Sequence, residues 1–183
     1  MKRLSVIALF LPAVLSCVKD PAGERIQPGE SLPVFSVTTL DGKTVSTSDL
    51  LGKPSAVILF TTTCPDCHRQ LPELQDVFAG GLNQYNILAI AREETAGTVS
   101  DHWKENGYTM PAAAPGDRRV YDLFDRGSRS GVPLLYLSDA VGKVRAVADD
   151  KATLYRNDIR RILSEMTVEF VTSNPTESNL PPK

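Results

Sequence analysis

Cysteine is scarce in this chain, with three in 183 residues, and histidine scarcer still, with two. There is no second Cys-x-x-Cys and no His-x-x-x-His, which argues against a structural zinc centre built from paired motifs. A basic excess is lacking as well. The 20 Lys and Arg are set against 22 Asp and Glu, for a net charge of −2, and both signs are interspersed, so there is no cationic surface to hold nucleic acid. Internal repeats and a nucleotide-binding glycine pattern are absent. The apolar stretch from Leu4 to Leu15, broken by Ser5 and Pro12, is too short to span a bilayer.

Two of the three cysteines fall together in Cys64-Pro65-Asp66-Cys67, between the apolar run Ala56-Val57-Ile58-Leu59-Phe60 and a stretch of helical periodicity. At such a strand-to-helix junction the first sulfur lies over unpaired N–H groups and the positive end of the helix dipole, which stabilise a thiolate. The second sulfur, on the first helical turn, is close enough to form a disulfide with the first and release a bound partner. The pair reads as a redox-active dithiol/disulfide needing no other cofactor and no metal. Two blander readings use the same thiols. Half a zinc site is short of ligands, and a structural disulfide closing so small a loop removes little unfolded-state entropy.

Met1-Lys2-Arg3 ahead of the apolar stretch has the form of an export signal. It ends in Val14-Leu15-Ser16-Cys17, which resembles the bacterial lipoprotein signal, where cleavage before the cysteine is coupled to lipidation of its thiol. An ordinary cleaved signal would instead leave Cys17 as an odd thiol in an oxidising compartment. The expected organisation is a signal peptide at 1–16, a Pro-, Gly- and charge-rich tether at 17–31, one domain at 32–170 and a disordered tail at 171–183. Val18 stands where many diderm bacteria carry Asp to retain a lipoprotein at the inner membrane. That points to an outer-membrane lipid anchor, with the domain facing the periplasm.

Within the domain, Phe35–Leu40 and Thr44–Val45 flank the turn Asp41-Gly42-Lys43 and predict a β-hairpin, followed by a short helical turn at Ser48–Gly52. Ala56–Thr61 and Asn86–Ala91 read as buried central strands lying parallel. A helix from Pro65 to about Ala79 places Leu71, Leu74, Val77 and Phe78 on one face, with a kink expected at Pro72. Further helices are expected at Thr98–Asn106, ended by Gly107, at Asp117–Arg126 with Val120, Tyr121 and Phe124 inward, and at Thr153–Met166 with Leu154, Ile159, Ile162 and Leu163 inward. Val132–Leu137 and Lys143–Val147 form an antiparallel pair around Asp139-Ala140-Val141-Gly142. The only tryptophan, Trp103, is expected in the core. The fold class is α/β, a central mixed sheet flanked by helices with an N-terminal hairpin extension.

From Leu32 to Met166 this order resembles the thioredoxin-like fold of the TlpA-like thiol-disulfide oxidoreductases, membrane-tethered proteins of the bacterial envelope. The resemblance is carried by Asp41-Gly42-Lys43-Thr44 with Leu50, Gly52 and Lys53, by Phe60 leading into Cys64-Pro65-Asp66-Cys67 and Leu71-Pro72-Glu73-Leu74, and by Gly131-Val132-Pro133 with Leu134-Leu135-Tyr136-Leu137 and Gly142-Lys143-Val144. It implies Cys64 as the nucleophile that attacks a partner disulfide and Cys67 as the thiol that resolves the mixed disulfide. It implies a cis bond before Pro133, with the Val132 backbone turned toward an extended substrate chain. Glu94 is similar in placement to an acid that relays a proton to or from the resolving thiol, although adjacent Glu93 leaves the register open. Pro65, Asp66 and His68 are tuning positions. The Asp66 charge disfavours a thiolate and favours a reducing couple, and protonated His68 opposes it. The implied partners are protein thiol or disulfide substrates and a membrane electron donor, served by a monomer.

One departure is Thr61-Thr62-Thr63, where many members carry an aromatic residue, often Trp, before the first cysteine. Loss of that flat surface bears on partner preference and leaves the two-thiol chemistry intact. Thr61 and Cys64 also echo the Thr-x-x-Cys of peroxiredoxins, but Val57 stands where that family wants proline. A copper-binding chaperone of the same fold would use Cys64, Cys67 and His68 as soft ligands, with only His102 available as a distant histidine.

Overall fold

The turn Asp41-Gly42-Lys43 closes a two-stranded antiparallel hairpin, β1 (Ser36–Thr38) with β2 (Thr44–Ser46), and Gly42 takes the left-handed φ of 82° that the reversal requires. The computed structural model describes residues 25–81, 83–127 and 131–173. The expected signal peptide 1–16, the lipidation position Cys17, the first part of the tether and the tail from residue 174 lie outside the described residues. A 3₁₀ turn at Thr47–Leu50 follows the hairpin, capped by the Asp49 carboxylate on the Ser46 N–H.

The chain then alternates between strand and helix. In order come β3 (Ser55–Phe60), α1 (Pro65–Gly80), β4 (Asn86–Ala91), α2 (Ala96–Asn106), β5 (Ala112–Ala113), α3 (Arg119–Phe124), β6 (Leu134–Ser138), β7 (Val144–Ala148) and α4 (Arg156–Ser173). The five-stranded sheet has the order β5-β4-β3-β6-β7, with β4 parallel to β3 and to β5, β6 antiparallel to β3, and β7 antiparallel to β6. All six β3 residues are buried, as a strand covered on both faces requires. Its apolar side chains join Leu71, Leu74 and Val77 of α1, Leu88 and Ile90 of β4, and Ile159 and Leu163 of α4 in one core. Each such side chain contributes on the order of 2 kcal/mol by leaving water.

Two consequences of this topology place the site. Because β6 runs against β3, Leu134 lies beside Leu59, so the loop entering β6 sits at the end where β3 hands over to α1. β4 runs with β3, so the loop leaving it arrives at the same end, and the Arg92 N–H donates to the Phe60 carbonyl at 2.9 Å.

Several expected boundaries move, each for a visible reason. Residues 25–31, expected to be tether, belong to the folded unit. β7 would leave a bare edge, and the Gly29 N–H donates to the Val144 carbonyl at 2.8 Å while the Val144 N–H donates back to Glu30 at 2.8 Å. Ile26 is buried, and Arg25 pairs with Asp149 at 2.8 Å and with Asp125 at 3.4 Å. α3 is shorter than Asp117–Arg126, because Asp125 leaves the helix with extended backbone and turns its buried carboxylate to Arg25 and the Gly127 N–H. α4 begins later than Thr153, since both Leu154 backbone groups bond the buried Gln70 amide. It then runs past Met166 to Ser173, so residues 171–173, expected in the tail, are helical. β5 was not expected at all. α1 continues on both sides of Pro72, and α2 ends at Gly107 with φ 66°. Among the described residues no helix is long and apolar enough to cross a membrane.

Candidate active site

Cys64 occupies the N-cap of α1 with extended backbone (φ −84°, ψ 120°), and Pro65 starts the helix where a missing N–H costs nothing. Both cysteines of the motif are free thiols. Cys64 is half-buried, and its thiol donates to the Val132 carbonyl at 3.1 Å. Cys67, one turn further on, is fully buried. Burial pushes its thiol well above the ordinary range. A hydrogen bond with the Thr61 backbone works the other way, while the Cys64 sulfur and the Glu94 charge add to the rise. The outer thiol can meet a partner and the inner one cannot.

The peptide between Val132 and Pro133 is cis, as the motif implied, and Val132 is itself buried. The loop that carries it is held by Tyr121 of α3, whose hydroxyl donates to the Gly131 carbonyl at 2.9 Å.

The two acids are placed differently. Glu93 is exposed in a left-handed conformation (φ 59°) with its carboxylate 3.7 Å from Arg92. Glu94 is half-buried and turned to the thiols' own loop. Both its oxygens accept from the Thr62 N–H, at 3.0 and 2.9 Å, and the Thr62 hydroxyl donates to one of them at 2.6 Å. Thr62 thus has a task that its reading as part of a lost aromatic surface did not suggest. Its carbonyl lies 2.6 Å from Nε2 of His68, while Asp66 pairs with Arg69. The two side chains expected to tune the thiols are therefore each engaged, Asp66 at the helix surface and His68 on the loop before the first cysteine.

Trp103 is buried as expected, packed 5.1 Å from the Phe60 ring with its indole N–H on the Met110 carbonyl at 2.9 Å. Its neighbour His102, considered from sequence only as a possible metal ligand, stacks on His68 at 5.3 Å. Among the described residues no group of three or more His, Cys, Asp or Glu is arranged to hold a metal ion. Sequence reading also passed over Tyr121 as a core residue. Its position within ten residues of Gly131 was visible, but the bond between them depends on how α3 docks.

A family model described as the AhpC/TSA family matches residues 28–147. The thiol-disulfide oxidoreductase ResA of Bacillus thuringiensis (strain Al Hakam) is 27% identical over 122 residues, 66% of this chain and 69% of that protein. Among solved structures, a thiol:disulfide interchange protein of the thioredoxin family from Chlorobium tepidum TLS superposes with a TM-score of 0.64 at 28% identity, covering 77% of this chain and 97% of that one. The pneumococcal exposed lipoprotein thioredoxin from Streptococcus pneumoniae strain TIGR4 superposes with a TM-score of 0.61 at 19% identity, covering 72% and 98%, which bears on the fold alone. The sheet order, the flanking helices and the hairpin extension are those of a thioredoxin-like fold.

Proposed function

The chain belongs to the AhpC/TSA family, and from that footing we propose that it is a thiol-disulfide oxidoreductase of the bacterial envelope that reduces protein disulfides through Cys64 and Cys67. One observation carries the reading: a half-exposed Cys64 aimed at the Val132 carbonyl stands over a fully buried Cys67. The names of the curated relatives agree with it.

The chemistry runs in two exchanges. The Cys64 thiolate attacks one sulfur of a partner disulfide, that S–S bond breaks, the departing sulfur takes up a proton, and a mixed disulfide forms through Cys64. Cys67 then yields its proton to Glu94, and its thiolate attacks the Cys64 sulfur and expels the partner's second thiolate, which is protonated in turn. The partner leaves as a dithiol and the protein as a Cys64–Cys67 disulfide, two electrons having passed outward. A base is needed because burial makes Cys67 reluctant to ionise. In this reading the base is Glu94, which Thr62 holds and whose charge is felt at the Cys67 sulfur. Beside Cys64, the Val132 backbone and Pro133 offer an edge where an extended substrate segment can pair.

The Val14-Leu15-Ser16-Cys17 signal supports a lipid on Cys17, and Val18 supports the outer membrane, with the domain in the periplasm. A membrane protein then supplies the electrons that regenerate the dithiol.

The test is Cys67→Ala expressed in the envelope of a bacterial host. It should accumulate a mixed disulfide through Cys64, and the wild-type dithiol should reduce insulin disulfides. If neither single-cysteine variant traps a protein and insulin stays oxidised, the reading falls. Fast peroxide consumption that depends on Cys64 alone would replace it with peroxidase chemistry, for which Thr61 stands three residues ahead of the sulfur.

A further inference from the structure

Five rings run in contact from the end of β3 to the surface beside the thiols. Phe60 and Trp103 lie 5.1 Å apart, and Trp103 and Tyr108 5.2 Å. His102 meets both Trp103 and Tyr108, at 6.1 and 6.0 Å, and stacks on His68 at 5.3 Å with the planes 22° apart. The His68 Nε2 faces the Thr62 carbonyl oxygen at 2.6 Å, and since a carbonyl only accepts, that nitrogen carries a proton. Thr62 in turn presents its amide and hydroxyl to Glu94. A ring on α2 is therefore linked to the carboxylate through two intermediates while touching no reacting atom.

The environment of His102 suits a platform rather than a proton carrier. Its Nε2 is buried and has no hydrogen-bond partner among the described residues, and its Nδ1 faces the Asn106 amide at 3.4 Å. Burial and the nearby His68 hold its imidazole below the usual basicity, against the pull of Glu94 and Glu105. Such a ring stays neutral and can lie flat against a second imidazole without charge repulsion.

We propose that His102 is a positioning residue for the resolving exchange: its ring keeps His68 on the Thr62 carbonyl, so that Thr62 holds Glu94 where it receives the Cys67 proton. This rests on the reading of Glu94 as the base.

The resolving exchange is isolated by mixing the dithiol protein with an aromatic disulfide whose released thiol is coloured. The first release reports attack by Cys64 and the second reports attack by Cys67. His102→Ala, which removes the platform, and His68→Phe, which keeps a ring but loses its N–H, should slow the second release by up to about tenfold, the scale of one hydrogen bond. In both variants the second release should also climb more steeply with pH, because solvent base replaces Glu94, while in His102→Ala the first release is unchanged. His102→Phe, which keeps a stackable ring, should restore the wild-type rate and pH profile. The proposal is overturned if His102→Ala keeps its fold by circular dichroism and its second release is unaltered, or if His102→Phe is as slow as His102→Ala. Glu94→Gln separates the two layers. An unaltered second release in that variant removes the base itself, whereas slowing there without slowing in His102→Ala removes only the positioning role.

Discussion

Thr62 grips Glu94 with every donor it has: its N–H reaches both carboxylate oxygens, at 3.0 and 2.9 Å, and its hydroxyl reaches one at 2.6 Å. The two residues come from different loops, one entering α1 and one leaving β4, and their contact fixes a carboxylate whose charge is felt at the buried Cys67 thiol. Thr62→Val deletes the hydroxyl, keeps the branched shape and leaves the amide bonds. We expect the exchange by Cys67 to slow about three- to tenfold with attack by Cys64 unchanged, read as the second and first thiol releases from a coloured disulfide. Equal slowing of both steps would place Thr62 in the geometry of Cys64 instead.

The two thiols should differ in reactivity because one is covered. Iodoacetamide on the native dithiol protein is expected to modify Cys64 and spare Cys67 until denaturant is added, followed by peptide mass spectrometry. Comparable rates at both positions would mean that the helix end opens readily.

Cys67 also ties stability to pH. Its thiol binds a proton more tightly folded than unfolded, so this contribution is complete below the ordinary thiol value near 9 and is lost as pH rises from there toward the folded value. In the reduced protein the unfolding free energy should fall by about 1.4 kcal/mol per pH unit above that point, beyond any slope in Cys67→Ala. Urea titrations of the two proteins at matched alkaline pH measure the difference, and parallel slopes would contradict the burial argument.

Arg25 joins two acids from separate elements, Asp125 at the end of α3 and Asp149 after β7. Arg25→Ala should cost about 1–3 kcal/mol, since it leaves the buried Asp125 short of its cation, and should expose residues 25–31 to proteolysis. Asp125→Asn keeps most of the shape and should cost less. Unchanged protease resistance in Arg25→Ala would show that Ile26 and the strand-edge hydrogen bonds hold the segment alone.

The sequence made the chemistry legible because the thiol chemistry is local. Cys64-Pro65-Asp66-Cys67 lies within one helical turn, Pro133 is marked by its neighbours, and β3 and β4 announce themselves as short apolar runs. What stayed hidden is whatever depends on docking. Ala112–Ala113 becomes a strand only because β4 supplies the ladder, and alanines between prolines carry no period of their own. Residues 25–31 look like tether because covering the edge of β7 requires no apolar pattern. Thr62 read as a missing aromatic, since nothing near it in sequence shows that Glu94 lies opposite. From sequence the Asp66 charge is opposed by His68 alone, and the helix brings Arg69 against it as well.

The covering of Cys67 has a kinetic meaning as well. Under the proposed exchange, electrons would enter and leave through Cys64, so a protein that recharges the dithiol and one that drains it would compete for the same patch. Neither would then be held while the other reacts. Turnover on that scheme would be a shuttle of the double-displacement kind, in which raising one partner's concentration in excess inhibits the other, and the rate at which each lets go matters as much as how fast it binds.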